Sequence, residues 1–278
     1  MFSSGLFTET FMVHAWMGGT MVAVLCALVG FFVVMRDSAF VAHTVPQAGF
    51  AGGAGAVFLN VNPLYGLSVF AVGGALLIGY LGTRERNDVA TALILVAALG
   101  TGALFLGLTN KYATGAYALL FGQLVGVSSE QIVTTAILSL ICLLALAFLY
   151  RPLLLASVSK EIAQSRGIPV RWVEMCFMVI VGLTAAITVP VVGALLCFSL
   201  LIGPTAVSIL LTSSSEKVMA LSLLFSVLTV WLSLILGYYS GWPIGFFVSI
   251  IGAILYLAAR SIKLFRYKTR ALFPHHAR

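Results

Sequence analysis

Charge is what this chain has least of. Of its 278 residues only 8% are Asp, Glu, Lys or Arg, against roughly 25% in an ordinary soluble domain, while 61% are hydrophobic. That ratio excludes a water-soluble enzyme. Acidic residues are scarcer than basic ones, 8 against 15, which leaves a net charge of +7. The basic residues stand in short clusters at the ends of apolar runs, the pattern of membrane orientation rather than of nucleic-acid binding. Cysteine is scarce too. Cys26, Cys142, Cys176 and Cys197 lie singly in apolar stretches, with neither zinc-site spacing nor the polar flanks of a secreted disulfide scaffold, and read as packing residues. The chain contains no Gly-Lys pair, so the phosphate-cradling loop of nucleotide hydrolases is missing. The first 12 residues carry no Lys or Arg, and a cleavable signal peptide is not expected.

What the chain has instead is long apolar runs. Crossing the hydrocarbon takes about 20 apolar residues in a helix. Nine spans meet that criterion: His14 to Met35, Ser38 to Leu59, Leu64 to Leu81, Ala90 to Leu108, Ile132 to Tyr150, Val173 to Ile187, Val191 to Leu211, Val218 to Gly237 and Ile244 to Ala259. Tyr112 to Leu124 is apolar but short, and is expected to be a re-entrant or surface helix on the outer side. With the N-terminus outside, 14 of the 15 basic residues fall on the inner side and Lys111 alone falls outside, as the positive-inside rule requires. The expected fold is all-α, a polytopic membrane helical bundle in the plasma or inner membrane, N-out and C-in. Eight spans with one irregular element is the alternative count. Residues 1–264 form the transmembrane domain and residues 265–278 a basic cytoplasmic tail.

Within the second span, "GFAGGAGA" sets Gly49, Gly52, Gly53 and Gly55 three and four apart, which lets helix backbones approach closely. The same span holds His43, the single ionisable side chain in any span interior, with Pro46 and Gln47 just after it. A hydrogen-bonded structural histidine and a path-lining ligand are both readings of His43; inside a membrane such a residue tends to face a cavity. His43 and Gln47 are four apart and share a helix face, and Pro46 interrupts the backbone ladder between them. No span interior carries Asp, Glu, Lys or Arg, so the ion-coupling carboxylates of many self-powered transporters are missing. Uphill transport would need energy from another chain.

The connection between the fifth and sixth spans, "SKEIAQSRGIPVRW", predicts a short amphiphilic helix with Ile162 and Ala163 on one side, ended by Gly167 and Pro169. It is either a solvated connector or a coupling helix that fits a groove in an ATP-hydrolysing subunit. The C-terminal "RSIKLFRYKTRALFPHHAR" joins basic residues to Leu264, Phe265, Tyr267, Leu272 and Phe273, a composition suited to an anionic leaflet. His275 and His276 there, and Glu9 with His14 near the outer entrance, read as solvated ends, with metal contact as the alternative.

Together these segments resemble the membrane permeases of ABC-type importers for zinc, manganese or iron, the ABC-3 family, over about His14 to Leu264. The likeness lies in five stretches in order: "GFFVVMRDSAFVAHTVPQAGFAGGAGA", "FGQLVGVSSEQI", "SKEIAQSRGIPV", "VVGALLCFSLLIGPTAVSILL" and "GWPIGFFVSIIGAILYL". The resemblance implies alternating access. A metal-binding protein outside the membrane delivers the ion, a second copy of the chain completes the path, and two ATPase subunits act through Glu161, Ala163 and Gly167. Hydrolysis then belongs to the partner, and this chain is not a catalyst. The resemblance also places His43 at the family's aspartate position and Gln47 at its histidine position, both lining the metal path. Imidazole without carboxylate suits zinc better than manganese, so the implied cargo is a divalent metal ion, zinc first. Two other classes stay open: an ABC permease for a chelated metal or organic substrate, and an ATP-independent small-molecule transporter.

Overall fold

The computed structural model describes residues 9–81, 87–109, 119–123 and 126–272. Among the described residues the chain is helical and contains no strand. The helices are α1 (Thr10–Met35), α2 (Ala39–Phe58), α3 (Pro63–Leu81), α4 (Asn87–Leu108), α5 (Ser129–Val158), α6 (Lys160–Ser165), α7 (Val170–Val192), α8 (Ala194–Leu211), α9 (Ser215–Ser240) and α10 (Ile244–Leu272). Eight of them, all but α2 and α6, are long and apolar enough to cross a membrane. Their outward faces are apolar as well: Phe148 is 87% exposed and Val69 and Leu93 are each 67% exposed. Such a surface is unstable in water and suited to lipid.

Burial sorts the helices into an inner and an outer set. In α1 and α7, 67% and 72% of the most apolar stretch is buried, against 11% in α4 and α10. The most enclosed helix is α2, where 15 of 20 residues are buried. Its glycines and alanines lower its hydrophobicity, yet 20 residues at 1.5 Å each reach about 30 Å, the thickness of the hydrocarbon core. Small residues are what allow this enclosure. A Cβ on Gly52 would overlap the Gly66 carbonyl of α3, one on Gly66 would overlap the Gly52 carbonyl, and one on Gly30 of α1 would overlap the Leu201 carbonyl of α8. At these crossings backbone touches backbone.

Helix ends are closed by local hydrogen bonding. α1 and α2 end with Asp37 and Asn60 in the left-handed region, at φ 53° and 57°. The amides that follow turn back onto the last helical carbonyls: Ser38 N–H donates to Val33 O and Val61 N–H to Ala56 O. This is the usual pattern of a left-handed helix stop. At the start of α5, Gln131 N–H donates to Ser128 Oγ and Ser128 N–H donates to Gln131 Oε1, at 3.2 and 3.0 Å, satisfying two otherwise unpaired donors.

The structure corrects several expected limits. The break between the sixth and seventh spans, expected near Ile187 to Val191, lies at Gly193. α7 runs through Pro190 to Val192, and the chain turns where Gly193 adopts φ 96°. A Cβ there would come within 2.5 Å of the Phe121 carbonyl carbon, so both the turn and the packing require glycine. α5 continues past Tyr150 through Pro152 to Val158, and α10 continues past Ala259 to Leu272. Cys26, Cys142 and Cys197 are buried packing residues as expected, but Cys176 is exposed on the surface of α7. Most of the helix expected at Tyr112 to Leu124 lies outside the described residues, as do Arg84, Arg86, Lys111, His275 and His276.

Candidate functional site

α2 carries the residues singled out for metal. His43 is the fifth residue of α2 and Gln47 the ninth, about 6 and 12 Å from its start. They flank Pro46, which has no N–H to give to the Ala42 carbonyl, and the helix continues through it. His43 is partly buried and its ring meets Phe198 of α8 edge to face, with centroids 5.1 Å apart and planes at 79°. Gln47 is 2% exposed, and its Oε1 has no hydrogen-bond partner among the described residues. A buried amide oxygen left unpaired costs about 1–3 kcal/mol, so this carbonyl is an acceptor held ready inside the bundle. Among the described residues no three of His, Cys, Asp and Glu gather closely enough to hold a metal ion. His43 and Gln47 by themselves bring two donor atoms, fewer than the four of a tetrahedral metal site.

Two cavities open at the opposite end of the bundle from the start of α2. A pocket of about 540 Å³ is lined by Asn62, Gln123, Glu130, Gln131, Thr134 and Thr135 among others, and a cleft of about 1170 Å³ is walled by Leu196, Leu234, Tyr238, Trp242 and Phe246. Neither is lined by His43 or Gln47. Beside them His14 Nδ1 lies 3.2 Å from the Val127 carbonyl. A carbonyl only accepts, so Nδ1 is the donor in this contact.

The expected coupling segment is a compact cap at the other end. Ser159 closes the start of α6: its Oγ accepts from Ile162 N–H at 3.2 Å and donates to Glu161 Oε2 at 3.0 Å. Gly167 closes the end at φ 76°, with its N–H donating to Gln164 O and Ile168 N–H donating to Ala163 O. Ala163 is fully buried against Ala156 and Val170, with Ile168 packed on that cluster. Ile162, expected on the same side as Ala163, is instead 49% exposed. In so short a helix adjacent residues point about 100° apart, and only one of them reaches the core. Val158 and Trp172 are 69% and 73% exposed nearby, and nothing lies within 4 Å of where a Gly167 Cβ would stand. The cap thus presents an open surface that mixes apolar and charged groups.

One constellation went unread in the sequence. Glu174 stands one residue inside the expected sixth span, and its Oε1 accepts from Arg36 Nη2 at 2.8 Å and lies 2.7 Å from Lys160 Nζ. The Arg36 side chain is 8% exposed and stacks on Phe177 with 5.8 Å from guanidinium to ring centre. Burial pulls the Arg36 guanidinium below its ordinary value, and the charge and hydrogen bond of Glu174 act in the opposite sense. The available signal was a lone carboxylate just inside an apolar run that follows a basic loop.

Comparison with known proteins bears on the whole chain. The profile of the ABC 3 transport family matches residues 8–263. The manganese transport system membrane protein MntC of Listeria monocytogenes is 24% identical over 261 residues, covering 93% of this chain and 93% of that protein. The high-affinity zinc uptake system membrane protein ZnuB of Haemophilus influenzae is 28% identical over 245 residues, covering 87% and 94%. Among solved structures, PsaBC from Streptococcus pneumoniae in complex with Fab superposes with a TM-score of 0.82 at 24% identity, covering 92% of each chain. That last likeness concerns the fold.

Proposed function

The chain belongs to the ABC 3 transport family, the integral membrane permeases of metal importers, and from that premise we propose that it passes divalent transition-metal ions inward, with zinc ahead of manganese. The observation that carries the preference is the donor set on α2. His43 offers an imidazole and Gln47 a buried amide oxygen without a partner among the described residues, and both project from neighbouring turns of one helix. Imidazole is a good ligand for zinc, whereas manganese favours carboxylate oxygen. Relatives named for each metal, manganese for MntC and zinc for ZnuB, keep the cargo within this class.

The path needs more donors than one copy supplies. A transported ion stays four-coordinate or higher, so the two α2 groups are completed by water or by the same pair from a second copy. Energy comes from outside the chain, from an ATPase subunit seated on α6 around Glu161, Ala163 and Gly167, and an external binding protein delivers the ion to the end that holds the polar pocket. In this reading α2 crosses the membrane together with the eight helices long and apolar enough to do so, making nine spans, with the N-terminus outside and the C-terminus inside. The fit of the basic residues to the positive-inside rule supports that orientation.

The test is reconstitution in sealed vesicles with the ATPase and binding protein, followed by zinc and manganese uptake. His43→Ala is expected to lower zinc accumulation about tenfold or more, at least what the loss of an outer-shell partner of a metal ligand costs, with membrane insertion unchanged. Undiminished uptake removes His43 from the path. Manganese taken up in preference to zinc by the unaltered protein refutes the assigned preference.

A further inference from the structure

At the α6 end of the bundle three charged side chains from three separate helices meet, and neither the metal path nor the docking surface makes use of them. Arg36 is the residue that caps the end of α1, Lys160 begins α6 and Glu174 is the fifth residue of α7. One carboxylate oxygen, Glu174 Oε1, serves both cations, at 2.8 Å from Arg36 Nη2 and 2.7 Å from Lys160 Nζ. Arg36 is the inner partner: its side chain is 8% exposed, and its Nη1 has no hydrogen-bond partner among the described residues. Glu174 is the carboxylate that neutralises it, because among the described residues Arg36 forms its ion pair there. The backbone beyond Arg36 is pinned by the left-handed Asp37 turn, so the guanidinium moves with α1.

The two attachments of α6 differ in kind. Ala163 sits in a small apolar cluster with Ala156 and Val170, a contact that is non-directional and tolerates sliding. The Lys160–Glu174–Arg36 bridge is made of charged contacts to one oxygen at 2.7 and 2.8 Å, which hold the separation of the groups they join. A displacement of α6 therefore acts on Glu174 in a defined direction. Arg36 must follow, since the alternative is a buried cation with no counter-charge. We infer that Glu174 is a positioning residue that passes movement of α6 to the end of α1 through Lys160 on one side and Arg36 on the other. This rests on the reading of α6 as the ATPase-docking helix.

Lys160, with 45% of its side chain exposed, is the arm that can be cut without endangering the fold. The experiment uses the full permease with its ATPase and binding protein in sealed vesicles. ATP hydrolysed and zinc accumulated are measured in the same sample, with manganese in place of zinc where the unaltered complex carries that ion. Lys160→Met is expected to lower the metal moved per ATP hydrolysed about fivefold or more, the lower bound of a typical coupling between sites. Lys160→Arg should restore the ratio. Glu174→Gln, which keeps the shape but removes the charge both arms share, should lower the ratio at least as far. An unchanged metal-per-ATP ratio in Lys160→Met or in Glu174→Gln overturns the inference. Failure of the ATPase to bind the unaltered permease refutes the docking reading and takes this inference down with it.

Discussion

The contact between α2 and α3 yields a prediction in which one substitution has opposite signs at two positions. At Gly52 an added methyl would overlap the Gly66 carbonyl oxygen, and would stand 2.5 Å from Phe70 Cβ and 2.7 Å from the Gly66 carbonyl carbon. The obstacles are backbone and a Cβ, so no side-chain rotation relieves them. Parting the helices by about 1 Å forfeits roughly a quarter to a half of each dispersion contact along the seam. Overpacking of this kind costs about 1–3 kcal/mol, while replacing a helical glycine by alanine returns about 1 kcal/mol. Gly52→Ala should therefore destabilise by up to about 2 kcal/mol. At Gly73, in α3, nothing lies within 4 Å of the added methyl, and Gly73→Ala keeps only the gain of up to about 1 kcal/mol. Reversible unfolding in mixed micelles, titrated with a denaturing detergent and followed by circular dichroism, measures both. The two variants should fall on opposite sides of the unaltered protein. Equal stabilities, or Gly52→Ala as the more stable, would refute the backbone contact and with it the argument for why α2 can be enclosed.

Further outcomes follow from other contacts. Glu174→Met should destabilise by about 3–5 kcal/mol, because it strands the buried Arg36 charge. Arg36→Met should cost less, since it leaves Glu174 paired with Lys160; the same detergent titration compares them, and a reversed order contradicts the assigned burial. Gly167→Val, forced to hold φ near 76°, should loosen the end of α6 by about 1–2 kcal/mol and weaken ATPase co-purification, whereas Gly167→Asn, which tolerates the left-handed region, should bind nearly as well. Gly167→Arg meets nothing within 4 Å at its Cβ but carries the same backbone strain as Gly167→Val, so a fall in metal carried per ATP larger than that of Gly167→Val is the expected mark of an obstructed docking surface. Ser128→Ala removes the cap of α5 and should cost about 1 kcal/mol, measured in the same titration.

The parts of this molecule legible in its sequence are those set by local composition and backbone. Membrane residence and helix class follow from apolar length, because every backbone polar group in hydrocarbon must be satisfied within its own helix. The α6 turn was legible for a similar reason: Gly167 marks a left-handed residue wherever the rest of the chain lies, and the structure places it at φ 76°. Span limits were less legible at prolines. Pro152 and Pro190 sit inside helices, which neighbouring packing permits and a breaker rule forbids. Ile162 and Ala163 are neighbours in a helix of 6 residues, too few for a periodic pattern to show which one turns inward.

Tertiary structure alone decided which distant groups meet. Arg36 and Glu174 are 138 positions apart, and nothing in either neighbourhood names the other; their pairing depends on how α1 and α7 are rotated against each other. Gly52 and Gly66 were recognisable as small residues, but that their backbones touch is a fact of helix crossing. His43 and Gln47 share a face by helical periodicity, yet the edge contact of His43 with Phe198 comes from α8 packing across α2, and the isolation of the Gln47 oxygen from the enclosure of α2 in the bundle. Hydrophobic length and backbone conformation belong to a segment by itself, whereas an ion pair, a close crossing or an unpaired buried oxygen belongs to the arrangement of several segments and exists only once they have packed.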